Sequence, residues 1–103
     1  MITTVTGHVL RSPRLSRPAR SDRGRPDVRT QFPIRCSDDP TRVVSVCCRD
    51  RVADYAVRFL QPGDRVRATG TLKESAWRAA NGDLASQFRM FADDLTALRE
   101  DDA

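Results

Sequence analysis

Residues 59–98 read FLQPGDRVRATGTLKESAWRAANGDLASQFRMFADDLTAL, and their pattern decides the fold. Pro62-Gly63-Asp64 marks a turn after a helix end at Phe59-Leu60, because these residues set or permit turn dihedrals. Val66, Ala68, Gly70 and Leu72 then alternate with Arg65, Arg67, Thr69, Thr71 and Lys73. A period of two puts the apolar row on one face of a strand and the basic, hydroxylated row on the other. Asn81-Gly82 is the strongest hairpin signal in the stretch, since both residues tolerate positive φ. Phe88, Met90 and Ala92 give the returning strand its own inward row, which leaves Phe91 outward by parity.

Upstream, residues 50–60 (DRVADYAVRFL) switch to helical spacing. Val52, Ala56, Phe59 and Leu60 share one stripe, Asp50 is placed to cap the start, and Tyr55 sits at the edge with its hydroxyl in water. Such a helix plugs one end of a barrel. Residues 42–48 (RVVSVCC) read as a strand buried on much of both faces, with Cys47 and Cys48 pointing oppositely. Ser37-Asp38-Asp39-Pro40 is a turn. In residues 28–36, Val28, Thr30, Phe32, Ile34 and Cys36 share one face, and Arg29, Gln31, Pro33 and Arg35 the other. Pro33 puts that strand at an edge or a bulge. Residues 2–10 (ITTVTGHVL) form a β-branched first strand, with Gly7 as a bend or a point of close approach and His8 on the surface. Five strands with one helix between the third and fourth make an all-β chain in the order of the OB-fold, a five-stranded, partly open Greek-key barrel.

A chain of 103 residues supports one domain, residues 1–103, with one modest core. Its formal charge of +4 permits a polyanionic partner. Every basic residue except Lys73 is arginine. Guanidinium groups fork onto phosphates and stack on base planes where ammonium groups cannot. A codon bias toward arginine gives the same ratio, so position has to decide. Residues 11–27 (RSPRLSRPARSDRGRPD) hold six Arg against Asp22 and Asp27, which equals the net charge of the whole chain. The stretch has no period and reads as a flexible loop or arm: either an electrostatic arm for a nucleic-acid backbone or a solvated tether. Residues 99–103 are a short acidic end.

Several classes are excluded. Cys36, Cys47 and Cys48 form no C-x-x-C pair, and one histidine cannot complete a zinc set, so no metal or cofactor is expected. The cysteines read as reduced thiols packed as small hydrophobes in a cytoplasmic protein. No P-loop, G-x-S-x-G or His/Cys/carboxylate cluster points to an enzyme, so no catalytic residue is assigned. Asp93-Asp94 reads as a strand-terminal turn rather than a metal site. No apolar run is long enough to span a membrane, and no secretion signal is expected.

The order FLQPGDRV, TGTL, Trp77, Asn81-Gly82, strand, ADDLTAL resembles the C-terminal half of the bacterial single-stranded DNA-binding protein family. Phe59-Leu60, Gly63-Asp64, Val66, Gly70, Leu72, Trp77, Gly82, Ala92-Asp93 and Leu98 carry the resemblance. Val5-Gly7-Val9-Leu10 and Arg42-Val43-Val44 extend it loosely to the first half. It implies an OB-fold, single-stranded DNA as partner in replication, repair or recombination, and a homo-oligomer, dimer or tetramer, assembled through the first strand.

A single-strand binder needs a cationic groove and flat side chains for bases. The outward rows supply Arg29, Arg35, Arg65, Arg67, Lys73 and Arg89, and the hairpin supplies Trp77 beside Arg78. Trp77 matches a stacking position of the family; covering the barrel mouth is its other reading. The chain also departs from the family. Pro40-Thr41 stand where an aromatic is usual, Val46 or Cys47 where Phe is usual, and the long acidic tail with a hydrophobic tip is absent. Those departures keep open a primosome-like or accessory protein-interaction module on the same barrel, with replication or repair proteins as partners. The sequence does not separate DNA from RNA.

Overall fold

The computed structural model describes residues 2–16 and 28–98. Its elements are β1 (Ile2–Val9), β2 (Arg29–Cys36), β3 (Val43–Arg49), α1 (Asp50–Phe59), β4 (Arg65–Arg78) and β5 (Leu84–Leu98). The strands close a barrel in the order β1-β2-β3-β5-β4. All neighbours are antiparallel except β3 and β5, which run parallel. This is the five-stranded OB-fold order, with the helix between β3 and β4. The barrel is closed where the sequence suggested a partly open one, because β1 pairs with β4 from Ile2 to His8.

Alternation explains the strands. On β2, Thr30, Phe32, Ile34 and Cys36 are buried and the residues between them are not. On β4, Val66, Ala68 and Gly70 face in. β3 is buried on one face only, with Val44, Val46 and Cys48 inward. Cys47 and Cys48 point oppositely, as their neighbouring positions require. Phe32, Ile34, Val46, Val66 and Met90 meet at the centre, and α1 adds Ala53, Ala56 and Leu60 to the same cluster. Two glycines sit where strands approach closely. A Cβ at Gly7 would run into the Arg35 carbonyl, and one at Gly70 into the Phe91 carbonyl.

Four local expectations change. Asp50 does not cap α1 from outside: it is the first helical residue, with φ +52°, and the cap position falls to Arg49. The Asp50 amide donates to the Val28 carbonyl at 2.8 Å, which ties the helix start to the entry of β2. Phe59 leaves the buried stripe and is 61% exposed, packing its ring 5.1 Å from that of Tyr55, while Ala53 takes its place inside. The Tyr55 hydroxyl accepts a 3.1 Å hydrogen bond from the Ala97 amide instead of facing water. At the hairpin only Gly82 has positive φ, and the Ala79 amide reaches the Asp83 carbonyl. The turn is therefore a longer loop closed by a left-handed glycine rather than a two-residue Asn-Gly turn.

The turn before β3 is held by Asp39. The Thr41 hydroxyl and amide both donate to its carboxylate, which holds that carboxyl below the usual range. Beyond the barrel, β4 and β5 continue as a two-stranded ribbon. β1 leaves β4 at Thr71 and β3 leaves β5 at Phe88, whereas the β4–β5 pairing runs on to Arg78 and Leu84.

Candidate nucleic-acid interface

β2, β3, β5 and β4 lie side by side, so their outward residues form rows across four strands. One row runs Pro33, Ser45, Arg89, Lys73; the next runs Gln31, Cys47, Phe91, Thr71. Arg29 stands opposite Arg49 one step further along. Lys73 places its Nζ 5.5 Å from the centroid of the Phe91 ring. The Gln31 amide nitrogen donates to the Ser45 hydroxyl.

Two concavities cover this face and meet at Gln31. One, of about 620 Å³, is lined by Ser16, Arg29, Gln31, Cys47, Arg49, Phe91 and Asp93. The other, of about 700 Å³, lies between Arg11, Arg14 and the outer face of Gln31, Pro33 and Ser45. The chain after β1 walls both. Ser16 and Arg29 exchange backbone hydrogen bonds of 2.7 and 3.0 Å, and the Thr30 hydroxyl donates to the Arg14 carbonyl at 2.8 Å. Pro13 is buried beneath. Residues 11–16 of the expected loop are thus fixed along β2; residues 17–27, and the acidic residues 99–103, lie outside the described residues.

Solved structures share this architecture. The small single-stranded DNA-binding protein from Streptomyces coelicolor aligns over 94% of this chain and 93% of its own, with TM-score 0.68 and 17% identity. The second single-stranded DNA-binding protein of Mycobacterium smegmatis aligns over 94% and 84%, with TM-score 0.67 and 21% identity. The fold is the OB-fold of these proteins. At such identities the likeness speaks for architecture, not for individual residues. No family model and no curated protein matches the sequence.

On this OB-fold the sequence-derived candidates divide. Arg29 lines the concavity just described, Lys73 and Arg89 stand on the outward row beside it, and Trp77 shares the parity of Lys73 farther along the ribbon, 47% exposed, opposite the small Ala85. The indole therefore does not seal the barrel. Arg65 and Arg67 have the parity of Lys73 but a different neighbourhood. They pair with His8 and Thr6 of β1, and Arg65 borders a separate hollow with Thr4, Thr6 and Asp38. Arg35 is turned to the β2–β3 connection, where it donates to the Pro40 carbonyl at 2.7 Å. Arg78 folds back into the hairpin and donates to the Gly82 carbonyl at 3.0 Å.

Other residues join the face that the outward rows did not name as candidates. Arg49 is one, because β3 runs a residue further than its apolar pattern suggests. Arg11 and Arg14 were legible only as part of a charge-rich loop. Asp93 is no strand-terminal residue: β5 continues to Leu98, and Asp93 is the extra residue of a bulge, since Thr69 pairs with Asp94 and Gly70 with Ala92. Among the described residues no three His, Cys, Asp or Glu side chains converge on a metal position. No described helix is long and apolar enough to cross a membrane.

Burial pushes all three thiols up, Cys48 to about 12. Cys47, on the floor of the concavity, is raised by burial and lowered less by Arg89. A neutral thiol there is a small, weakly polar surface against which a flat ligand can rest.

Proposed function

We propose that this protein binds single-stranded DNA, without catalysis, along the concave face of β2, β3 and β5, with the β4–β5 ribbon bringing Trp77 over one end. The observation that carries the reading is the alignment of cations and a flat ring across that face: Arg29, Arg49, Arg89 and Lys73 around Phe91. Exposed base faces and a charged backbone are what a single strand offers, and these are the groups that complement them. Each stacked base adds roughly 1–3 kcal/mol, so Trp77 and Phe91 need the arginines, or further subunits, for tight binding. Residues 11–16 lie beside the groove and bring Arg11 and Arg14 to it as the described part of the electrostatic arm. The architecture shared with the two single-stranded DNA-binding proteins supports the same reading. A cytoplasmic homo-oligomer acting in replication, repair or recombination accords with it, and RNA is the competing ligand.

Quenching of Trp77 fluorescence by oligo(dT) under rising salt tests this. For about 4–6 neutralised phosphates, log K falls against log salt with a slope of roughly −3 to −4. Absence of both quenching and salt response ends the reading.

The exposed Phe59 ring and Leu84, 61% and 75% exposed, favour a second use as an accessory protein-interaction module. Pull-down from nuclease-treated lysate separates the two. Partners that survive the nuclease support the module; partners lost with it support the nucleic-acid reading.

A further inference from the structure

Asp93 is out of place on a surface built only to follow phosphates. It lines the same concavity as Arg29 and Arg49, and a carboxylate there repels a polyanion. What it attracts is a hydrogen-bond donor, and in a single strand the donors are on the bases. We infer that the cleft between Phe91, Gln31 and Asp93 reads one base, favouring bases with an exocyclic amine, cytosine in particular, over thymine. The inference rests on the single-stranded nucleic-acid reading above and adds the selectivity of that site.

Three features of the cleft converge on this. First, Phe91 supplies an exposed ring, 43% open, set between Cys47 and Thr71 by the strand register. A base of any kind can lie against it. Second, beside the cations Arg29, Arg49 and Lys73 the cleft brings one carboxylate acceptor to the ring, Asp93. The Gln31 amide donates one N–H to the Ser45 hydroxyl and keeps its oxygen and its second N–H for a ligand. The Asp93 carboxylate is an acceptor only. Third, Asp93 is the extra residue of the β5 bulge, and a bulge re-aims a side chain away from the regular outward row.

Base chemistry then sorts the ligands. Cytosine presents its N4 amine, adenine its N6 amine and guanine its N2 amine to an acceptor. Thymine carries carbonyl oxygens on both sides of its single ring N–H, so it brings oxygens to the Asp93 carboxylate where cytosine brings an amine. Arg29 and Arg49 at the rim hold the flanking phosphates in either case and contribute no base preference.

The test is anisotropy of labelled oligo(dC) and oligo(dT) of equal length, at one salt concentration and mildly alkaline pH, with the wild-type chain and Asp93→Asn. Wild type is expected to bind oligo(dC) about tenfold more tightly, at the low end of what one good base contact gives. Asp93→Asn removes the negative charge and adds amide N–H donors, so it should bind oligo(dT) more tightly than wild type and bring the ratio to about one. Equal wild-type affinities overturn the inference, and that comparison needs no variant. So does an Asp93→Asn chain that binds both ligands more tightly by the same factor, since Asp93 then acts as a charge alone. Failure to bind either oligonucleotide refutes the proposed function itself, and the inference with it.

Discussion

On the proposed function, replacing Arg49 and Arg89 with alanine is expected to change how binding responds to salt, and replacing Arg65 and Arg67 is not. All four residues are exposed and lie on outward strand positions, so parity treats them alike. The barrel separates them. Arg49 and Arg89 stand on the face that also holds Arg11, Arg14, Arg29 and Lys73, whereas Arg65 and Arg67 look across to β1. If those six cations each neutralise a phosphate, log K falls with log salt at a slope of about −4, at roughly 0.7 per contact on a single strand. Between about 50 and about 200 mM salt the affinity then drops roughly 300-fold. Loss of two contacts brings the slope to about −3 and the drop to roughly 50-fold. Anisotropy of a labelled oligonucleotide measures this without relying on Trp77. A slope that flattens equally in the Arg65/Arg67 double variant refutes the division of the surface into a binding side and a β1 side.

Trp77→Ala is expected to weaken single-strand binding by roughly 1–3 kcal/mol with little change in thermal midpoint, because the indole is half-exposed on the ribbon; a large fall in midpoint would instead make it a structural cover. Gly70→Ala forces a Cβ into the Phe91 carbonyl beside the β5 bulge. Overpacking of this kind costs about 1–3 kcal/mol, and each kcal/mol lowers the midpoint of a domain this size by about 4–8 °C, readable by calorimetry; an unchanged midpoint would show that the two strands can part there freely. Cys48 gives a pH signature. Its thiol is pushed up to about 12 by burial, so the folded chain keeps the proton that the unfolded chain releases. Stability from this group is complete below the usual thiol range and is lost as pH climbs through that range toward 12. Urea midpoints across alkaline pH should fall, and Cys48→Ala should fall less steeply.

Much of this barrel is written locally. On β2 the alternation of Thr30, Phe32, Ile34 and Cys36 with charged and polar residues matches the burial residue by residue, because one face meets the core and the other meets solvent. Gly7 reads correctly as a close approach, since a glycine inside a β-branched strand has few other uses. What local pattern does not hold is the company each outward residue keeps. Arg67 and Lys73 are six positions apart with identical parity and both pair with β5, yet Arg67 also has β1 beside it at Thr6, whereas β4 has lost β1 before Lys73, which stands beside Arg89 in the row that continues to β3. The pairing of Cys47 with Phe91 comes from a parallel contact between strands separated by the helix and all of β4. The burial of Ala53 in place of Phe59 has a similar origin: which side of the helix meets the barrel is set by tertiary packing, and it turns Ala53 and Ala56 inward and Phe59 outward.

The ribbon beyond Thr71 and Phe88 has a mechanical consequence. Among the described residues each of its strands leans on a single neighbour, and no third strand braces either edge. A narrow tongue of this kind flexes about its root at little cost to the packed interior. On the proposed function, Trp77, near its tip, is the movable contact and Phe91, seated on braced strands, the fixed one. A fixed anvil with a travelling hammer would suit single strands that differ in path and spacing.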